Sequence, residues 1–207
     1  MANEIGKTEP PALPYPEAQY SSSFFQQFNN ILRLYFNRLT NSVNQLLSTE
    51  QGGKALYLPN ALFYSTVDQT AAATNTGYAV ALENTYLANG ITINGGSSTQ
   101  ITVGSDGVYN FQLNLQLQHT SGSACALWIW ISKNGTPVTY GAKRYTIKGN
   151  DFFSVVWNFN IDMTADDYIE MYWATDDLGL TLHADAPTSP HPGIPSAVMA
   201  VSFVSNY

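Results

Sequence analysis

Asn110-Phe-Gln-Leu-Asn-Leu-Gln-Leu-Gln-His119 places Phe111, Leu113, Leu115 and Leu117 at alternate positions, with amides between them. Successive side chains of a strand point to opposite faces, so this is an antiparallel strand with one face buried and one wet. Cys125-Ala-Leu-Trp-Ile-Trp-Ile131 follows, apolar at every position, and then Lys133-Asn134-Gly135-Thr136. The Asn-Gly pair marks a tight hairpin turn. Phe152–Met163, Tyr168–Ala174 and Ala197–Val204 read as further strands. Turn signals separate these runs and no helical period intervenes, which predicts a mainly β chain whose residues 51–207 form an antiparallel jelly-roll sandwich. Trp128 and Trp130 alternate with Leu127, Ile129 and Ile131, so both faces of that strand ask for cover. A second subunit is expected to supply it.

Working back towards the N-terminus, the period changes. Ser21–Ser48 contains no Gly or Pro, and Gly52–Gly53 follow it. Phe25, Phe28, Leu32, Tyr35, Leu39 and Leu46 are spaced 3, 4, 3, 4 and 7, with Ser42 in the missing slot and Val43 beside it. That is the a/d stripe of a coiled coil, widened by Phe24, Ile31, Phe36 and Leu47. A stripe this wide exceeds what two strands hide. It fits a three-stranded stalk over residues 21–50, or a helix packed on a separate body. A Ser at position 21, 22 or 23 can cap the helix, and Gln26 completes a capping box if the cap is Ser23.

Residues 1–20 form a third zone, with Pro10, Pro11, Pro14 and Pro16 close together. Such a run favours extended or polyproline conformation. It is either a free tail or an arm that docks into a groove on another protein, and Leu13, Tyr15 and Tyr20 suit docking. Pro10, Pro11, Pro14, Tyr15 and Pro16 are the anchoring candidates.

Composition narrows the function. The chain has 207 residues, 44% hydrophobic and only 11% charged, with 13 Tyr, 10 Phe and 4 Trp. Aromatics at this level exclude general disorder. No stretch approaches about 18 consecutive apolar residues, so no membrane insertion is expected. Met1–Pro10 lacks the apolar segment of a secretory signal. The net charge is −7, and no Lys or Arg follows Lys148. Lys143, Arg144 and Lys148 are the only dense basic spot, too small a footprint for nucleic acid. One cysteine, Cys125, excludes a disulfide within the chain, and its apolar flanks make it a small buried hydrophobe.

The strands resemble, segment by segment, the trimeric jelly roll shared by tumour necrosis factor and the complement globular heads. Gly104-Ser-Asp-Gly107-Val-Tyr109-Asn-Phe111 resembles that family's Gly-x-Tyr-x-Phe strand. Trp130-Ile-Ser-Lys-Asn134-Gly135-Thr-Pro-Val138 resembles its strand–turn–strand, and Pro195–Phe203 its closing strand. Met163-Thr-Ala-Asp-Asp167-Tyr-Ile-Glu-Met-Tyr-Trp173 is similar to a leucine-x-x-glycine-aspartate-x-isoleucine pattern, with Asp166 where glycine is preferred, so a different turn is expected there. The Pro-rich start and Asn30–Asn41 (Asn-Ile-Leu-Arg-Leu-Tyr-Phe-Asn-Arg-Leu-Thr-Asn) resemble small virion proteins of tailed phages. These resemblances imply a homotrimer on the virion surface, held by its N-terminal arm to another virion protein of capsid or tail.

Chemistry is sparse. His119 continues the Phe111–Leu117 face and reads as a packed histidine. His183-Ala-Asp185 and His191 sit in a Pro-rich loop, a weak metal pattern beside the plain reading of a solvated loop. Asp166–Asp167 reads as a turn; Asp176–Asp177 is a calcium candidate, though neighbours on a strand point apart. No nucleophile elbow, phosphate loop, dinucleotide fingerprint or zincin motif occurs. The expectation is a protein without catalytic residues, cofactor or metal: a capsid decoration or short head fibre. The alternative is a tail fibre or lectin-like receptor-binding protein that recognises a host surface glycan or protein.

Overall fold

The computed structural model describes residues 10–15, 19, 21–47, 58–94 and 96–206. Pro16 and Tyr20 lie outside the described residues. The chain divides into two compact units, Met1–Leu58 and Pro59–Tyr207.

The first unit is dominated by α1, Ser22–Leu47. Its cap is Ser21, whose Oγ accepts the Phe24 N–H at 3.2 Å. Phe24 is therefore the third helical residue, and the box expected between Ser23 and Gln26 does not form, because Ser23 is already inside the helix. None of the 26 residues is buried. At roughly 1.5 Å per residue α1 is about 39 Å long.

The second unit holds thirteen strands among the described residues. The first sheet contains β1 (Asn60–Ser65), β2 (Gln69–Thr70), β4 (Asn84–Asn89), β7 (Gly107–His119), β10 (Asp151–Met163), β12 (Leu180–Leu182) and β13 (Ala197–Ser205). The second contains β3 (Tyr78–Ala79), β5 (Ile91–Ile93), β6 (Ile101–Val103), β8 (Cys125–Lys133), β9 (Thr136–Ile147) and β11 (Tyr168–Thr175). All pairs are antiparallel. β7 is paired along one side by the whole of β10, and on its other side by β13 and then β12. β13 is inserted between β7 and β1, and β4 continues beyond β1. The second sheet runs β5-β6-β11-β8-β9. Neighbours far apart in sequence within two facing sheets define a jelly roll.

The alternation of β7 sets the register. Phe111, Leu113, Leu115 and Leu117 are all buried. They meet Leu127, Ile129 and Ile131 of β8 and Ile169, Met171 and Trp173 of β11 in one core cluster. A slip of one residue would turn the β7 leucines to solvent and the amides inward. The β8–β9 turn is the hairpin expected: Asn134 has φ 51° and Gly135 φ 77°, and Lys133 pairs with Thr136.

Asp166, in place of the resemblance's glycine, adopts φ 69°, in the left-handed region that aspartate tolerates. On the outer face of β8 the chain itself supplies part of the cover. Trp130 stacks on Tyr172 with ring centres 5.5 Å apart and planes within 15°. Gly77 lies against the same indole, where a Cβ would come within 2.7 Å of the ring. The Arg144 guanidinium sits 5.5 Å over Trp128. Both tryptophans are half-buried without a second subunit.

Candidate functional site

Residues singled out in the sequence fall on α1 and the arm and at the two ends of the sandwich, and a further region lies on the outer face of the first sheet. On α1, Phe28, Leu32 and Tyr35 are half-buried, while Phe25, Leu39 and Leu46 are exposed. Phe24 stacks on Phe28 at 6.2 Å along the stripe. In the arm, Pro11 and Pro14 are half-buried and Pro10 is exposed, and Tyr15 is 93% exposed. An amphipathic helix with no buried residue keeps its apolar stripe available to a partner of the same kind.

The second region was not marked by the sequence. The outward face of the first sheet carries Asn110, Gln112, Asn114, Gln116 and Gln118 on β7, beside Val198, Ala200 and Ser202 on β13. Leu62 and Tyr64 of β1 extend it on one side. On the other, β10 adds Ser154, Val156, Asn158 and Asn160. Asp162, near the end of β10, is the one charged residue at an outward position of these described strands, in a chain of net charge −7. The amides bond to one another: Asn110 donates to Asn158 and Asn160, Gln112 to Asn110, and Ser154 to Asn114. A groove of about 510 Å³ opens on this face, floored by Leu62, Tyr64 and Val198 and walled by Tyr86 and the prolines of the 186–195 loop. A second opening of about 590 Å³ lies between the edge strands β9 and β10, beside Tyr140 and Trp157. Tyr140 is fully exposed at φ 59°, a sparsely populated conformation for a tyrosine. The face was legible in principle as the run of amides in β7, but a wet strand and a face awaiting a partner have the same alternation.

The third region is the end of the sandwich where β7 stops and β10 and β12 begin or end. His119 is fully buried, with Nδ1 2.9 Å from the Lys148 carbonyl and Nε2 3.3 Å from Asp177 Oδ2. Asp177 Oδ1 accepts the Gly179 N–H at 2.8 Å; that bond, the Ser121 hydroxyl and His119 hold its carboxyl below the usual range. Asp176 instead turns its Oδ1 to the Ala126 N–H, 2.7 Å away. The neighbouring aspartates thus serve separate backbone amides. Among the described residues, no three His, Cys, Asp or Glu side chains are grouped to hold a metal ion. Burial, with the charges of Asp176 and Asp177, pushes the Cys125 thiol up, against a Thr175 hydrogen bond that lowers it. Around His183, Nε2 lies 3.1 Å from Asp185 and Nδ1 3.0 Å from Asp68. His191 sits in the loop itself, exposed, paired through its backbone with Thr188.

At the opposite end, Asp167 is the best-tied carboxylate. Burial would raise it, but the Thr164 N–H, the Asn134 amide, the Lys133 ammonium and the Thr164 hydroxyl together hold it well below the usual range. Lys143 rests 5.2 Å over the Trp157 ring, so two of the three clustered basic residues lie over aromatic rings.

No protein-family model and no curated protein matches the chain. Among solved structures it is similar to the crystal structure of murine APRIL at pH 5.0, at 8% identity and a TM-score of 0.46. The match covers 71% of this chain and 99% of that one. The jelly-roll assignment rests on the strand order itself. Among the described residues, no helix is long and apolar enough to cross a membrane.

Proposed function

We propose that the chain is a non-enzymatic structural protein of a phage virion, a homotrimer displayed on the particle surface as a capsid decoration or short head fibre. In this reading residues 1–20 are the arm that attaches to another virion protein, through Pro10, Pro11, Pro14, Tyr15 and Pro16. Residues 21–50 are the trimerising stalk, packed through Phe25, Phe28, Leu32, Tyr35, Leu39 and Leu46, and residues 51–207 are the head. The observation that carries it is α1: a heptad stripe on a helix none of whose residues is buried. The charge-poor outer face of the first sheet, with Asp162 near one end, supports self-association as well, since interface cores are depleted of charge. The virion assignment draws on the resemblance of residues 1–41 to tailed-phage proteins.

Light scattering after gel filtration tests the assembly. One chain is 22.7 kDa, so a trimer reads about 68 kDa, and a monomer at 22.7 kDa sinks the stalk. Deleting residues 1–20 should then leave a trimer, lighter only by the residues removed, and abolish attachment to particles; retention on particles refutes the anchor.

A second reading, a tail fibre or receptor-binding protein with lectin-like contacts, is favoured by the exposed rings of Tyr86 and Tyr140. Weak sites repeated three times would gain through avidity. Saturable binding of the intact chain to a host glycan, lost in Tyr140→Ala, would move the assignment to this reading.

A further inference from the structure

The dense basic spot of the sequence, Lys143, Arg144 and Lys148, has no part in the proposed arm, stalk or trimer. Two of its residues lie on β9, the outermost strand of the second sheet among the described residues. Directly opposed residues of an antiparallel pair share a face. Lys143 opposes Ile129, which is fully buried, so it lies on the face turned towards the first sheet. On that face Tyr145 opposes Leu127 and Ile147 opposes Cys125, and both pack in or against the core. Lys143 breaks that series with a charge. Its ammonium stands 5.2 Å over the ring of Trp157, which belongs to β10, an edge strand of the first sheet. Among the described residues no carboxylate lies within ion-pair distance of Lys143 or Arg144.

We propose that Lys143 guards the open side of the sandwich: it caps Trp157 while its ammonium stays in water, and so keeps a strand of another chain from adding to β9. An edge strand offers a row of unpaired N–H and C=O groups, and β9 has twelve residues, Thr136–Ile147. A strand added there would close the open side over Lys143 and take its ammonium out of water without an ion pair. The rest of β9 resists pairing by other means. Pro137 has no N–H to give. The ladder with β8 shifts between Trp130 and Ser132, and near that shift Tyr140 takes φ 59°, which bends the edge. Beyond the irregularity, residues 142–147 pair regularly with β8. Lys143 and Arg144 set one charge on each face of this straight run, Arg144 opposing Trp128 on the outer face.

β10 has no such protection of its own. Its ladder with β7 runs without a shift from Asp151 to Met163, and no Lys, Arg, Asp, Glu, Gly or Pro falls between Asp151 and Asp162. Phe152, Phe153 and Val156 are exposed along it. Lys143 reaches this strand at Trp157, midway along its length, so one ammonium stands beside both free edges.

Light scattering on the full chain across a concentration series tests this. Each variant is read against the native mass, so the result does not depend on the stalk. Lys143→Val should form species of about twice the native mass or more, at concentrations about tenfold below any at which the native chain does so, without a lower urea midpoint. Lys143→Arg should behave as native. Thr146→Val adds an apolar residue to the outer face of the same run and keeps both charges, so it should also keep the native mass. In the Lys143→Val assemblies, amides 142–147 should gain protection from hydrogen exchange and those of β4 should not. Native mass in Lys143→Val at every concentration overturns the proposal. So does equal association in Thr146→Val or Lys143→Arg, or association that leaves residues 142–147 unprotected. If Lys143→Val does not fold, Lys143→Thr is read in the same way.

Discussion

The two sheets of the head treat their outer faces in opposite ways. The second sheet has Trp128, Trp130 and Tyr172 on its outside and covers them in part through ring stacking, Arg144 and the segment at Gly77. The first sheet carries amides and small residues, and the one charge at an outward position of its described strands is Asp162, near the end of β10. Hydrophobic content alone therefore does not mark the face suited to a partner. Scarcity of Lys, Arg, Asp and Glu across neighbouring strands is the better mark, because a charge is the group most costly to remove from water.

The comparison can be broken from either side. The largest effect is expected at Trp130→Ala, which removes the stack on Tyr172 and opens the space beside Gly77. It should cost about 2–3 kcal/mol in urea unfolding, less than a fully buried tryptophan, with no change in solution mass. Asp167→Asn should cost about 1–2 kcal/mol near neutral pH by weakening the bonds from Thr164 and Lys133. Its sign with pH is fixed by the lowered carboxyl: the contribution is present above the ordinary carboxylate range and lost as pH falls through the folded value, so variant and native stabilities converge in acid. Gly77→Ala should cost about 1 kcal/mol, since the new methyl meets the Trp130 ring and one of them must shift. The smallest effect on stability is expected on the other sheet. Ala200→Glu should change unfolding by less than about 0.5 kcal/mol while moving the trimer–monomer equilibrium towards monomer in sedimentation across a concentration series. A large loss of stability in Ala200→Glu with unchanged assembly would reverse the roles assigned to the two faces.

Much of the fold was legible because it rests on local periods. Four alternating apolar residues placed β7, Asn134-Gly135 placed the β8–β9 hairpin, and the 3–4 spacing placed α1. The short strands β2, β3, β5, β6 and β12 were not marked, since two or three residues carry no period. The partial cover of Trp130 by Tyr172 and Gly77 was not legible for a different reason: alternation tells which way a side chain points, not what lies on top of it. Gly77 and Trp130 are far apart in sequence. So are Asp68 and His183, whose pairing the His-Ala-Asp motif half revealed through Asp185. Asp166 shows the converse, a residue that departs from a sequence pattern and keeps its backbone conformation. The stripe on α1 was visible at once, because a helix displays its apolar face whether or not a partner is present.

The insertion of β13 between β1 and β7 has a consequence for biosynthesis. These three strands start near residues 60, 107 and 197, so the central slot of the first sheet stays empty until β13 has left the ribosome. Until then the nascent head holds two unpaired strand edges. A chain truncated before Ala197 would keep those edges open, and would present itself to chaperones and to other copies as an aggregation template.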